Sequence, residues 1–194
     1  KNIPLIFFDR VFEHPNCPTI VINNFNAAYE VTSHLIDQGC RRIMHVTGNL
    51  NRNVYAMRFR GYKEALTDHD IRFQEDCLMV NNLSAEDGVR IAAYILAMEK
   101  KPDGIFFAND TCAVACMLEL KRQGLTIPDE MLVAGFNNDL LTTVVAPSLT
   151  TVDYRGQEMG EVAAKTLINR LNGISDQQAA ATIVLRHQLI VRGS

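Results

Sequence analysis

The chain has 194 residues, 47% of them hydrophobic and 21% charged, enough to bury a real core in one large domain or two small lobes. Its formal net charge of −3 argues against a nucleic-acid surface on this stretch, which would normally be basic. The longest apolar runs are strand-sized, so no segment is expected to span a membrane. Five cysteines (Cys17, Cys40, Cys77, Cys112, Cys116) are odd in number and widely spread, which fits neither a disulfide framework nor a zinc spacing. Unpaired thiols point to a reducing, cytoplasmic setting; no signal peptide is expected, and the opening strand-like run at 3–8 reads as the start of a fragment.

From residue 19 to 136, short β-branched or aromatic runs alternate with amphipathic stretches. Strands are expected at 19–22, 43–47, 77–80, 104–108 and 131–136, and helices at 25–38, 56–69, 85–99 and 111–123. Ala28, Val31, Leu35 and Ile36 share one face of the first helix; Val89, Ala92, Ala93 and Leu96 share one face of the third. Ser84 with Asp87 opens the third helix, and Asp110 or Thr111 is placed to cap the fourth. Gly39 and Gly124 close the first and fourth, where a left-handed residue is cheap. Cys112 and Cys116, four apart on that fourth helix, read as small core residues. Beyond residue 136 the pattern changes to a strand at 147–152, a helix at 155–171 closed by Asn172-Gly173, and two strands at 182–185 and 189–191. Residues 175–181 are the most loop-like.

Alternating strands and helices with short connections imply parallel strands and crossover helices, hence a doubly wound α/β sheet. Ligands of such sheets bind outside the carboxyl ends of the strands. Those ends carry Asp9-Arg10, Asn23-Asn24, Thr47-Gly48-Asn49, Asn81-Asn82, Asn109-Asp110 and Asn137-Asn138-Asp139. Helix capping and turn formation account for most of these residues without any ligand. Capping alone does not account for Arg52 and Arg58 close by. A rim of amides, carboxylates and guanidinium groups suits a polyhydroxylated or anionic small molecule, since it offers both donors and acceptors. Enzyme motifs are missing: no dinucleotide fingerprint, no phosphate-binding loop, no nucleophile elbow and no metal-spaced His/Cys cluster. The five histidines (His14, His34, His45, His69, His187) are dispersed; His34 reads as a packing or surface residue and His45 as a core or lobe-facing one. Neither catalysis nor a cofactor is expected.

At these residues a family becomes recognisable. VTSHLIDQGCRRIMHVTG at 31–48, RFRGYKEAL at 58–66, PDGIFFANDT at 102–111, IPDEMLVAGFNN at 127–138 and PSLTTV at 147–152 together resemble the effector domain of LacI/GalR transcription regulators, in order and along essentially the whole chain. The resemblance implies a type I periplasmic-binding-protein-like fold, with one complete lobe and one truncated lobe. It implies a remnant of the N-terminal lobe at 1–22, the C-terminal lobe at 23–145, a crossover strand and helix returning to the N-terminal lobe at 146–175, and terminal strands of the C-terminal lobe at 176–194. It further implies that a small effector, a sugar or sugar derivative, binds in a cleft and biases the lobe arrangement. It implies too that operator DNA is read by a head absent from this chain, in a homodimer.

Carried over by position, Arg58 matches the family's effector-contacting arginine and Arg52 an arginine that some members use in the same cleft. Asn109 and Asn137 match polar cleft positions, Asp9 the carboxylate beside the first crossover, and Leu83 a place where some members put an aromatic ring. Many members carry aspartate where Asn137 and Asn23 stand, and histidine where Cys40 stands, so no particular effector transfers with the fold. A periplasmic sugar-binding protein serving a transporter shares the fold and stays open as the alternative.

Overall fold

The computed structural model describes residues 3–11, 17–174 and 181–194. His14, and the loop expected at 175–181 apart from Ala181, lie outside the described residues. In chain order the elements are β1 (Phe7–Phe8), β2 (Thr19–Ile22), α1 (Asn24–Asp37), β3 (Ile43–Thr47), α2 (Asn53–Asp68), a 3-10 turn (Glu75–Cys77), β4 (Leu78–Val80), α3 (Ala85–Ala97), β5 (Gly104–Phe107), α4 (Asp110–Arg122), β6 (Leu132–Ala134), α5 (Leu141–Val144), β7 (Thr151–Asp153), α6 (Gly156–Leu171), β8 (Thr182–Leu185) and β9 (Gln188–Ile190). They divide into two compact units, the first Lys1–Asn23 with Tyr154–His187 and the second Asn24–Asp153 with Gln188–Ser194.

The second unit is built on a parallel sheet in the order β4-β3-β5-β6. Every residue of β3 and β5 is buried, as expected of parallel strands covered on both faces. One face packs against α3 and α4 in a cluster that includes Met44, Val46, Ile91, Ile95, Ile105, Phe107, Met117 and Leu120. The other carries an aromatic layer: His45 stacks 4.6 Å from Phe106 and 5.1 Å from Tyr62. His45 Nδ1 lies 3.1 Å from the Phe106 carbonyl. A carbonyl can only accept, so Nδ1 carries the proton, and burial pushes the imidazole down to about 3, leaving it neutral. A small antiparallel pair, β7 with β9, joins this unit beside β6 through a bridge between Ala134 and Thr150.

Local chemistry explains the helix ends. Ser84 and Asp87 form a reciprocal capping box on α3, and Gly39 and Gly124 take the left-handed conformation just past α1 and α4. On α4 the cap is neither Asp110 nor Thr111 but Asn109, whose Oδ1 accepts from the Cys112 N–H at 3.1 Å. The buried face of α3 is also displaced from the expected one. Ile91, Ala92 and Ile95 face inward while Val89 is 46% exposed and Ala93 lies outside. Gly88 sets this face: a Cβ there would meet Cys116 N at 2.9 Å and Ala115 Cβ at 2.8 Å, so α3 and α4 touch backbone to backbone at that point. Cys112 and Cys116 are fully buried, and burial pushes the Cys112 thiol up to about 12.

The first unit carries a three-stranded parallel sheet, β1-β2-β8, with α6 as its one helix among the described residues. Two placements differ from the sequence reading. Residues 182–185 do not close the C-terminal lobe; β8 pairs in parallel with β2, from Thr19 opposite Thr182 to Ile22 opposite Leu185. Residues 147–152 do not begin the return crossover either, because β7 is held in the second unit by β9 and the change of unit comes after Asp153. The proline break at 147 marks a turn within the second unit, not its end.

Candidate functional site

In the second unit the carboxyl ends of β3, β4, β5 and β6 lie on one side of the sheet, as parallel pairing requires. Arg58, from α2, is the charged centre of this side. It is only 5% exposed, its Nε donates to Asn24 Oδ1 at 2.9 Å and its Nη1 to the Ala108 carbonyl at 2.8 Å. The guanidinium lies 3.5 Å from the centroid of the Phe136 ring, a cation–π geometry that gains strength where water is excluded. Gly61, one turn along α2, makes this possible. A Cβ there would run into the Phe25 carbonyl and reach Tyr29 N at 3.0 Å, so only glycine lets α2 lie on the first turn of α1 and bring Arg58 to Asn24.

Around Arg58 the strand-end loops are tied together through their own polar groups. Asn109 Nδ2 donates to the Leu83 carbonyl at 2.9 Å, and Asn81 Oδ1 accepts from the Leu83 N–H at 2.8 Å. Leu83, Asn137 and Asn138 all take positive φ values, 60°, 126° and 61°; asparagine tolerates 61°, whereas a leucine at 60° and any side chain at 126° need surrounding bonds to hold them. The Asn137 N–H donates to the Val152 carbonyl at 2.9 Å. Asp110, fully buried, accepts from Thr151 Oγ1 at 2.7 Å and from the Asp139 N–H at 2.9 Å. Burial pushes its carboxyl up to about 6 despite these donors. Thr47 Oγ1 and Asn81 Nδ2, at the ends of β3 and β4, are buried without a hydrogen-bond partner among the described residues.

The structure brings Arg58, Asn109, Leu83, Asn137 and Arg52 into one unit but gives them different standing. Arg58 and Asn109 are joined through the strand end Ala108-Asn109, and Asn137 follows the Phe136 platform. Arg52 is exposed at the start of α2 and gives no side-chain cap there. Leu83 is 4% exposed and packs in the core cluster with Val54 and Tyr55, so its carbonyl, not its side chain, enters the polar network. Asp9 belongs to the first unit, half-buried after β1, with φ 58° and an ion pair to Arg10 at 3.9 Å. Sequence reasoning did not assign Asn24 or Phe136 to Arg58. The pairing spans 34 residues in one case, and the one local signal was the Arg58–Gly61 spacing. Among the described residues no group of His, Cys, Asp or Glu could hold a metal ion, and no helix is long and apolar enough to cross a membrane.

Known proteins resemble this chain in sequence and fold. A family profile described as a periplasmic binding protein-like domain covers residues 32–194. The ribose operon repressor of Haemophilus influenzae is 30% identical over 193 residues, which is 100% of this chain and 58% of that protein. An HTH-type transcriptional repressor PurR from Vibrio campbellii is 28% identical over 194 residues, again 100% of this chain and 58% of the relative. The chain thus spans a little over half the length of the curated relatives it matches. Among solved structures, the transcription regulator CcpA of Lactococcus lactis superposes with a TM-score of 0.91 at 27% identity, covering 98% of this chain and 69% of that one. A LacI family regulator from Enterococcus faecium with bound ribose gives 0.87 at 25% identity, covering 98% and 70%. The chain belongs to the periplasmic binding protein-like domain family, in the form found in LacI/GalR transcription regulators.

Proposed function

We propose that the chain is the effector-binding part of a cytoplasmic, DNA-binding transcription regulator, and that it takes a small polyhydroxylated molecule, a sugar or sugar derivative, at the strand-end side of the second unit. The observation that carries this reading is Arg58: a guanidinium held at fixed geometry on an aromatic ring, beside Asn109 and Asn137, where the strands end. Vicinal hydroxyls need both donors and acceptors, and this mixture of amides and guanidinium supplies both. A relative named for the ribose operon and a related structure with bound ribose favour a pentose as the first candidate. That the reported relatives are repressors favours a regulator over a transporter's binding protein. Arg58, Asn109, Asn137 and Arg52 are the proposed contacts, all in the second unit, and Leu83 supports the site through its carbonyl. Operator DNA is bound by a head outside this chain, in a homodimer. The effector acts only through a difference in its affinity for two arrangements of the protein.

The test is a thermal-shift screen of the full-length protein against monosaccharides, sugar phosphates, disaccharides and nucleobases, with Arg52→Ala and Arg58→Lys in parallel. A ligand that binds the folded state raises Tm in proportion to the logarithm of its concentration over Kd. D-ribose or a related sugar is expected to raise Tm in the parent and much less in Arg58→Lys. A nucleobase as the sole hit overturns the sugar reading, and a hit indifferent to both substitutions moves the site elsewhere.

A further inference from the structure

The loop after β6 is the most strained part of the candidate site, since Asn137 and Asn138 both have positive φ. Asparagine reaches the left-handed region of Asn138 at small cost, but Asn137 at 126° lies beyond it and stays there only if neighbouring groups hold it. On one side the holders are Asp110 and Thr151: the Asp139 N–H donates to Asp110, and the Asn138 N–H to Thr151 Oγ1 at 3.3 Å. On the other side stands a residue far away in sequence. Arg192, two residues past β9, donates from Nη2 to Asn138 Oδ1 at 2.8 Å, and from Nη1 to Thr142 Oγ1 at 2.9 Å and the Leu149 carbonyl at 2.7 Å. The start of the loop's helix, the turn before β7 and the Asn138 side chain thus converge on one planar cation.

Arg192 is itself fixed. Its N–H donates to Thr150 Oγ1 at 3.0 Å and the Gly193 N–H to the Ser148 carbonyl at 3.1 Å. Ser194, 4% exposed, donates to the Val133 carbonyl at 2.6 Å and accepts from the Thr150 N–H at 2.8 Å. The tail after β9 is therefore stitched to the middle of β6 and to the turn before β7. All three guanidinium acceptors are neutral oxygens, and no ion pair of Arg192 is present among the described residues. A guanidinium used in this way fixes directions more than it neutralises charge.

We infer that Arg192 is a positioning residue: it sets the conformation of the Asn137–Asp139 loop and, through it, the geometry that Asn137 offers to an effector. The functional half of this statement rests on the effector site proposed above; the conformational half does not.

The experiment compares full-length parent, Arg192→Met and Arg192→Lys by hydrogen–deuterium exchange and by calorimetric titration with D-ribose. Arg192→Met is expected to speed exchange in peptides spanning 136–143 by about tenfold or more while leaving those of α2 and α3 unchanged, because only a local opening is made easier. Arg192→Lys restores part of the protection, since one ammonium reaches some of the three acceptors but cannot fork to all. D-ribose affinity falls with loop protection across the series. Unaltered exchange at 136–143, or a uniform rise over the whole second unit, overturns the positioning role and leaves Arg192 a general staple. If the parent itself does not bind D-ribose, the ribose reading of the site fails, and the exchange data alone still decide the conformational claim. Loosened exchange with unchanged D-ribose affinity overturns the link from loop to ligand.

Discussion

Both units are built on a parallel sheet, and they bury those sheets to different degrees. In the second, β3 and β5 are buried at every position, and even the histidine on β3 is sealed from solvent. In the first, β8 alternates between exposed and half-buried residues, Val184 is 57% exposed and Phe8 55%. On its helix side Leu171 is 64% exposed, with Ile174 just beyond at 72%. A parallel sheet reaches full burial only when helices cover both faces, and the first unit has α6 alone among the described residues. The difference teaches where substitutions will be felt. The second unit carries close-packed polar groups whose loss has no remedy, while the first carries apolar side chains that solvent already touches.

The sharpest way to break this contrast is at Arg58. Arg58→Met keeps the volume but removes the donors that Arg58 gives to Asn24 Oδ1 and the Ala108 carbonyl in a buried place. We expect about 3–4 kcal/mol lost, read as a lower urea midpoint at unchanged slope. A loss below about 1 kcal/mol would mean that water reaches those acceptors and that the unit is not sealed there.

A second probe is pH. The Asp110 carboxyl is raised in the folded state to about 6 from an ordinary 3.8, so the folded protein holds its proton more tightly than the unfolded chain. Stability from this group is full below about 3.8 and is lost as pH rises through about 6. Asp110→Asn can still accept from the Asp139 N–H and donate to Thr151, but it does not titrate. Relative to that variant, the parent is expected to lose on the order of 2 kcal/mol between pH 4 and pH 7, measured as a difference of urea-unfolding curves. Parallel curves would show that Asp110 is hydrated, against the contrast between the units. The smallest effect belongs to the first unit: Val184→Thr on β8 is expected to change stability by less than ~0.5 kcal/mol, and a larger loss would reveal packing on that face.

Much of this architecture was legible because apolar periodicity and end caps agree along the chain. The α3 capping box and the glycines after α1 and α4 stand where the sequence puts them. What was not legible depends on contacts between distant segments. The inward face of α3 is turned by the close approach of Gly88 to α4, not by the tally of its own apolar residues. The partner of β8 is β2, more than 160 residues earlier, and no local pattern distinguishes that pairing from one with β9. The candidate site shows the same division. Arg58 could be singled out, yet what fixes it, Asn24 and Phe136, and what braces the neighbouring loop, Arg192, come from three separate parts of the chain. Leu83 drew notice for its side chain, but its backbone makes the contact.

The five cysteines carry a practical consequence. All are free and buried, and burial holds Cys40 at about 12 and Cys77 at about 11, so neither offers a thiolate to a reagent at neutral pH. Cys17 lies in the first unit and the other four in the second. A thiol-blocking label applied in pulses and located by peptide mapping therefore becomes a two-channel clock, in which modification at residue 17 times the opening of one unit and modification at 40, 77, 112 and 116 times the other. The protein comes with these reporters already in place, and no residue has to be introduced to follow the two units separately.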